Sequence, residues 1–276
     1  MNSFRRRLLE LSRVLTDEEA AYAYLLQRLQ RAGRLRCQRC GSESFYLLSR
    51  YRLKCRQCRS EFRPLAATAL SALNLPLSTW LSLINDFAVA VPPQRAAARS
   101  AINYKTALRA YHLVREAVLG SEAQKAGDSL PGLMVIGIVD GEEQASVELL
   151  EGPVAQELVD SNLARVRKGI IAYTERYGRY DTVVIVGERK AVRGAFSPVK
   201  AVDVDYLQGF WHFTKHFVFG NRAVTKRNVF AVLKELEWRY NNRDADLFDL
   251  IVDRLLAAPA GRGGKRRRRS ETAASH

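Results

Sequence analysis

The sequence predicts a multidomain α+β protein in which a four-cysteine zinc ribbon, a basic helical region and an α/β domain follow one another. Three observations carry this. The only four cysteines fall as two Cys-x2-Cys pairs separated by fourteen residues. From Phe87 to Arg115 the chain has helical periodicity and no acidic residue. Past Gly120 the composition shifts to buried-strand runs interleaved with helical patterns. At 276 residues the chain is long enough for about two domains with sizeable cores.

Residues 1–34 read as a helical segment. Leu8, Leu9, Leu11 and Leu15 supply its apolar positions. Asp17-Glu18-Glu19 then opens a second helix carrying Tyr22, Tyr24, Leu25, Leu26 and Leu29. The opening MNSFRRRLLELSRVL lacks the long apolar core and small-residue cleavage site of an export signal. No stretch of eighteen apolar residues occurs. The expectation is therefore a cytoplasmic protein that spans no membrane.

Residues 35–65 hold the ribbon. Cys37 and Cys40 form one knuckle, Cys55 and Cys58 the other, and the residues between them can form a hairpin that brings the pairs together. Four thiolates close a tetrahedral shell around Zn2+ and leave no position for water, so the predicted zinc is structural. Two disulfides are the other reading, and they need an oxidising compartment. From Arg28 to Arg63 there are eleven Lys or Arg residues against Glu43 and Glu61, within a chain of net charge +15. Arg50, Arg52, Arg56, Arg59 and Arg63 accompany Phe45, Tyr46 and Tyr51. Arginine forks on a rigid metal knuckle suit phosphate contact, and a merely solvated charged face is the plain alternative.

Residues 66–120 read as helical. A linker through Thr68 and Asn74 leads to Pro76, with Ser78 as cap of a helix carrying Trp80, Leu81, Leu83, Ile84 and Phe87. Pro92-Pro93 stops it. Two short helices follow, with a turn near Ile102-Asn103. Arg95 and Arg99 lie on the first; Asn103, Tyr104, Lys105, Thr106 and Arg109 open the second, while Ala107, Leu108, Tyr111, Leu113 and Val114 face inward. This is the pattern of a helix-turn-helix whose second helix enters the major groove. Any amphipathic helical hairpin shares it.

Residues 121–132 read as a linker and 133–256 as the α/β domain. LMVIGIVD (133–140) is a buried strand turning at Asp140-Gly141 into QASVELLEG. A helical pattern at 154–176 precedes the strand TVVIV (182–186), with a further short strand at 199–204 and closing helices at 205–219 and 226–256. Strands joined by a crossover helix indicate a mixed α/β domain. The tail 257–276, with Lys265, Arg266, Arg267, Arg268 and Arg269, has no apolar pattern and is expected to be disordered and to add nonspecific DNA affinity.

The order of these parts resembles the ISXO2-like transposases of bacterial insertion elements, over roughly residues 35–250. The stretches that carry the resemblance are the ribbon followed by Phe62-Arg63, the LPLSTW helix and Tyr104-Lys105-Thr106-Ala107. They continue with Phe210-Trp211 and Lys215, and with Arg239-Tyr240-Asn241-Asn242-Arg243. The resemblance implies that the two basic helices are a helix-turn-helix and that the α/β domain is RNase H-like. It also implies an Asp-Asp-Glu/Asn set holding two divalent ions that cut and rejoin DNA.

That acidic set is missing at the matching positions. No strand pattern precedes Leu133, and Asp128 sits in the linker. Gly187, followed by Glu188, stands where the second Asp would end its strand, and Gln208 stands before Phe210-Trp211. An amide does not replace a carboxylate as a hard metal ligand. Asp140, Glu188 and Asp205 (with Asp203) are the acids that would have to rebuild a site. Asp140 reads more simply as a turn former, Asp205 as a helix cap and Glu188 as a partner of Arg189, Lys190 or Arg193. His212 and His216, four apart, read as packing or DNA-facing residues.

The expectation is a zinc-containing, bacterial, nucleoid-associated DNA-binding protein, derived from a transposase but without strand transfer. It would act as a regulator or as the DNA-recognition subunit of an assembly. Double-stranded DNA is the expected partner, with homo-oligomerisation, possible protein partners and no catalytic Mg2+ or Mn2+. A diverged metal-dependent nuclease using Asp140, Glu188 or Asp205 is the first alternative. A zinc-ribbon interaction scaffold is the second, and RNA is a further ligand the basic segments would accept.

Overall fold

The computed structural model describes residues 3–49, 51–120, 133–140, 144–162, 172–174, 180–187, 210, 214 and 228–260. The chain divides into two units, residues 1–118 with 246–276, and residues 119–245.

The first unit begins with helices α1 (Ser3–Thr16) and α2 (Glu18–Arg31). Asp17 caps α2 by accepting the N–H groups of Glu19 and Ala20 at 2.9 and 3.5 Å. Ala21, Tyr22, Tyr24, Leu25 and Leu29 form the buried stripe of α2; of the positions expected there Leu26 is half-buried, and Ala21 takes its place in the stripe. The ribbon follows as β1 (Phe45–Leu48), β2 (Arg52–Cys55) and β3 (Glu61–Phe62), antiparallel in that order. Two short 3-10 turns lead to α3 (Leu77–Ala88), α4 (Pro93–Arg99) and α5 (Tyr104–Leu119).

The cap of α3 differs from expectation. Ser78 lies inside the helix, and Glu18 of the distant α2 start does the capping. Its carboxylate accepts the N–H groups of Leu77 and Ser78 at 2.7 and 2.9 Å, and the Ser78 hydroxyl at 2.9 Å. A carboxylate meets orphan N–H groups at the positive end of the helix dipole. Trp80, Leu81, Leu83, Ile84 and Phe87 are buried, as predicted.

The closing helix predicted at 226–256 is two helices, and they belong to different units. α7 (Val229–Asn241) ends where Asn242 turns its side-chain amide back to the Trp238 carbonyl at 2.7 Å. Asp246 then starts α8 (Leu247–Ala257), accepting the Asp249 N–H at 3.2 Å. α8 packs with α2 and α3 in the first unit, so the α/β domain predicted at 133–256 stops before it. The stretches assigned to separate segments at 1–34, 35–65 and 66–120 share that unit too, up to Val118.

The second unit carries β4 (Leu133–Asp140), β5 (Ala145–Leu150), α6 (Gly152–Asn162), β6 (Ala172–Thr174), β7 (Thr182–Gly187) and α7. The helix predicted at 154–176 is described as α6 up to Asn162, and within the predicted span Ala172–Thr174 form the strand β6 instead. Tyr173 and Thr174, good strand formers, pair with Val184 and Val183 of β7. The sheet order is β5-β4-β7-β6, and all three pairings are antiparallel. The parallel pairing a crossover helix implies is thus absent among the described strands.

Alternation along β4 splits the core between the two sheet faces. Met134, Ile136 and Ile138 pack with Phe210, Phe230 and Leu233 on one face. Val135 packs with Ala155, Tyr180, Val183 and Ile185 on the other. Gly137 lies on that second face, and a Cβ there would sit 2.5 Å from the Tyr180 ring. Only glycine lets the tyrosine lie against the strand.

Candidate functional site

The four cysteine thiols lie within 4.8 Å of one another, with Cys37–Cys58 and Cys40–Cys55 at 3.5 Å. All four are free thiols, and a disulfide needs about 2.05 Å. Zinc–sulfur bonds of about 2.3 Å make a tetrahedron with edges of about 3.8 Å, which this cluster matches. The donor set therefore fits one Zn2+ with no open position.

Each knuckle is the same turn. The N–H groups of Cys37 and Cys55 donate to the carbonyls of Ser42 and Ser60, both at 2.9 Å. Gly41 and Arg59 donate back to the carbonyls of Cys37 and Cys55 at 2.8 and 3.1 Å. Backbone N–H groups also point at the sulfurs. The Cys58 N–H leads, with help from the Cys40 thiol and against burial, in lowering Cys55 to about 6, and the Arg39 N–H leads in lowering Cys37. Cys40 receives the Ser42 N–H, yet burial and the three neighbouring thiols push it up to about 12. Such crowded sulfurs suit a cation, which favours the thiolate in all four.

The ribbon's basic residues separate into two groups. Arg36 pairs with Glu43 at 3.0 Å, and Arg52 and Lys54 share Glu61 at 2.9 and 3.8 Å. Arg56 and Arg59 instead approach the ring of Tyr46, at 4.4 and 6.0 Å from its centroid. Tyr46 is 43 % exposed. Among the predicted phosphate contacts, Arg52 is thus neutralised within the ribbon, whereas Arg56 and Arg59 remain presented to solvent.

In the helical region, α4 and α5 are joined by a tight turn through Ala101, whose φ is 51°. Ala107, Ala110, Tyr111, Val114 and Val118 are buried. Tyr111 donates its hydroxyl to the Val91 carbonyl at 2.9 Å and meets Phe87 edge-on at 5.2 Å. Tyr104, Lys105 and Arg109 are exposed, with Arg95 on α4, while Thr106 is half-buried. Asn103 is engaged as a cap, its side-chain oxygen accepting the Lys105 N–H at 2.8 Å. Arg99 is engaged too, 2.7 Å from the buried carboxylate of Asp86. The sequence reading missed Asp86, although it is the acid just before the acid-free run.

Asp140 ends β4 opposite Ala145, and its side chain lies outside the described residues. So do Glu188, Asp205, Arg50, Gln208, His212, His216 and the tail residues Lys265, Arg266, Arg267, Arg268 and Arg269. Phe210, from the Phe-Trp pair, is buried and meets Tyr240 edge-on at 5.4 Å.

Fold and site together define a mixed α+β protein with a four-cysteine cluster whose geometry fits a zinc ribbon. No protein-family model, curated protein or solved structure matches the chain. Among the described residues no helix is long and apolar enough to cross a membrane.

Proposed function

We propose that the chain is a zinc-dependent DNA-binding protein of transposase descent that does not transfer strands, serving as a regulator or as the DNA-recognition subunit of a larger assembly. The observation that carries this reading is the ribbon: a closed four-thiolate site fixes a knuckle that presents Arg56 and Arg59 without carboxylate partners among the described residues. A closed site does no Lewis-acid chemistry, so the metal's contribution is to hold the backbone of both knuckles. The exposed residues Tyr104, Lys105 and Arg109 at the start of α5 supply a second basic face on the helix-turn-helix reading. A homo-oligomer would bring two such heads to a repeated or palindromic site.

Transposase descent and an RNase H-like ancestry for the second unit rest on the sequence resemblance. Loss of catalysis rests on Gly187 and Gln208 standing where carboxylates would be. The test is zinc-loaded full-length protein with end-labelled DNA from the gene's own neighbourhood, with and without Mn2+, resolved for shift and for cleavage. A salt-sensitive, sequence-selective shift with intact DNA is expected. Discrete Mn2+-dependent nicks, lost in Glu188→Gln, would replace this reading with a rebuilt nuclease. Absence of any shift would leave the ribbon as a protein-interaction module.

A further inference from the structure

The two knuckles differ at the one position where the turn is demanding. The residue after the second cysteine has a left-handed backbone in both, φ 74° at Gly41 and 59° at Arg59. Glycine enters that region freely, whereas a residue with a Cβ does so at a penalty. The first knuckle uses the residue the turn favours, and the second holds an arginine there.

That backbone sends the Arg59 guanidinium toward the ring already covered by Arg56. Arg56 is further tied by its Nε–H to the Phe45 carbonyl at 3.3 Å. Two cations converging on one ring repel each other. The acids of the ribbon do not relieve this, because Glu61 serves Arg52 and Lys54 while Glu43 serves Arg36. A strained turn, two convergent guanidinium groups and no internal counter-charge among the described residues together point to an external anion. A phosphodiester fits, since its two non-bridging oxygens can each accept from one fork.

We propose that Arg56 and Arg59, with Tyr46 as the positioning residue, clamp a single backbone phosphate of double-stranded DNA. The proposal rests on the DNA-binding reading above and adds to it which knuckle grips the backbone. The clamp touches no base edge, so its contribution is the same for every sequence.

The experiment is a salt titration of duplex binding by the zinc-loaded full chain and five variants: Arg59→Gly, Arg56→Gln, the double variant, Tyr46→Ser and Tyr46→Phe. Arg59→Gly is expected to weaken binding about five- to tenfold, equally for specific and unrelated duplexes, while zinc content and melting temperature stay at or above wild type. One shared phosphate means the double variant lowers the log–log salt slope by about one, not two. Tyr46→Phe keeps the ring and should restore the affinity that Tyr46→Ser loses. If wild type binds duplex DNA but Arg59→Gly and Arg56→Gln bind with its affinity and slope, the clamp is overturned and the DNA-binding reading stands. A slope loss of about two in the double variant also overturns it, because it means two separate contacts. If wild type binds no duplex, or binds only RNA, the broader reading falls and the clamp with it.

Discussion

Asn241 at the end of α7 completes the open edge of β5 by pairing with the backbone of Ala145. Its side-chain oxygen accepts the Ala145 N–H, and its side-chain N–H donates to the Ala145 carbonyl, each at 2.8 Å. One turn earlier Glu237 accepts the Val147 N–H at 3.0 Å, and Lys234 reaches the Val147 carbonyl at 3.3 Å. Side chains of one helix thereby do the work of a neighbouring strand, and an exposed edge is covered. The Asn241-Asn242 pair thus has a structural role at both positions, Asn242 through its bond to the Trp238 carbonyl.

Replacing Asn241 by leucine removes both bonds and leaves two half-buried backbone groups unpaired. The expected loss is about 2–3 kcal/mol in the second unit. Hydrogen exchange at the Ala145 and Val147 amides is the measurement, because a whole-chain melt of two units is not a two-state transition. Wild-type protection in Asn241→Leu would show the edge to be held by something else.

Zinc removal should unfold the ribbon and leave the second unit in place. Among the described residues between 35 and 65 only Cys37, Leu53 and Cys55 are buried, too few apolar side chains to hold three short strands without the metal. A chelator, or Cys55→Ser, should therefore abolish amide protection in β1–β3 while β4, β5 and β7 keep theirs. Metal analysis should return one zinc per chain before treatment. Protection in the ribbon that survives full zinc loss would contradict this.

What the sequence made legible was local. Cysteine spacing is read directly because ligand geometry confines each pair to one turn, and the buried stripes of α2, α3 and α5 follow from helical period. What it hid was long-range. Glu18 caps a helix 59 residues away, and Asn241 pairs with a strand 96 residues away. No periodic signal reports such partners, nor the return of α8 to the first unit. The strained knuckle was within reach: aligning Cys37–Ser42 with Cys55–Ser60 sets Arg59 against Gly41.

The clasp between α1, α2 and α8 should make the first unit acid-sensitive. Asp249 accepts from Arg7 and Tyr24, each at 2.5 Å, and from Arg28 at 2.9 Å. Arg28 also holds both carboxylate oxygens of Asp253. Burial opposes ionisation of Asp249, but the Tyr24 hydroxyl and the two arginines outweigh it and lower its pKa. A depressed folded value means the stabilisation is complete above the unfolded value of about 3.9 and is lost as pH falls through the folded one. Melting of the first unit should therefore hold constant from neutral pH down to about 5 as far as this group is concerned, then decline. Asp249→Asn should make the first unit less stable at pH 7, by about 1–3 kcal/mol, with a shallower acid decline. An unchanged acid limb in that variant would assign the decline to other carboxylates.

Arg99 is the predicted DNA contact whose surroundings argue for a different task. Asp86 lies on the buried face of α3, only 1 % exposed, and Arg99 stands 2.7 Å from it with its own side chain 62 % exposed. Burial raises the Asp86 pKa, and Arg99 pulls against that rise. The folded state therefore disfavours the charged form, so this group costs stability above its raised pKa and the cost fades as pH falls through it. Arg99→Ala removes the cation that stands 2.7 Å from Asp86 and should enlarge the penalty, by about 1–3 kcal/mol at pH 7. Lowering the pH toward 5 should recover part of that loss, and adding Asp86→Asn should recover it at every pH. DNA affinity per folded molecule should fall far less in Arg99→Ala than in Arg109→Ala, which is exposed and has no such carboxylate partner among the described residues. Equal losses in the two variants, with stability unchanged in Arg99→Ala, would return Arg99 to the DNA-facing surface.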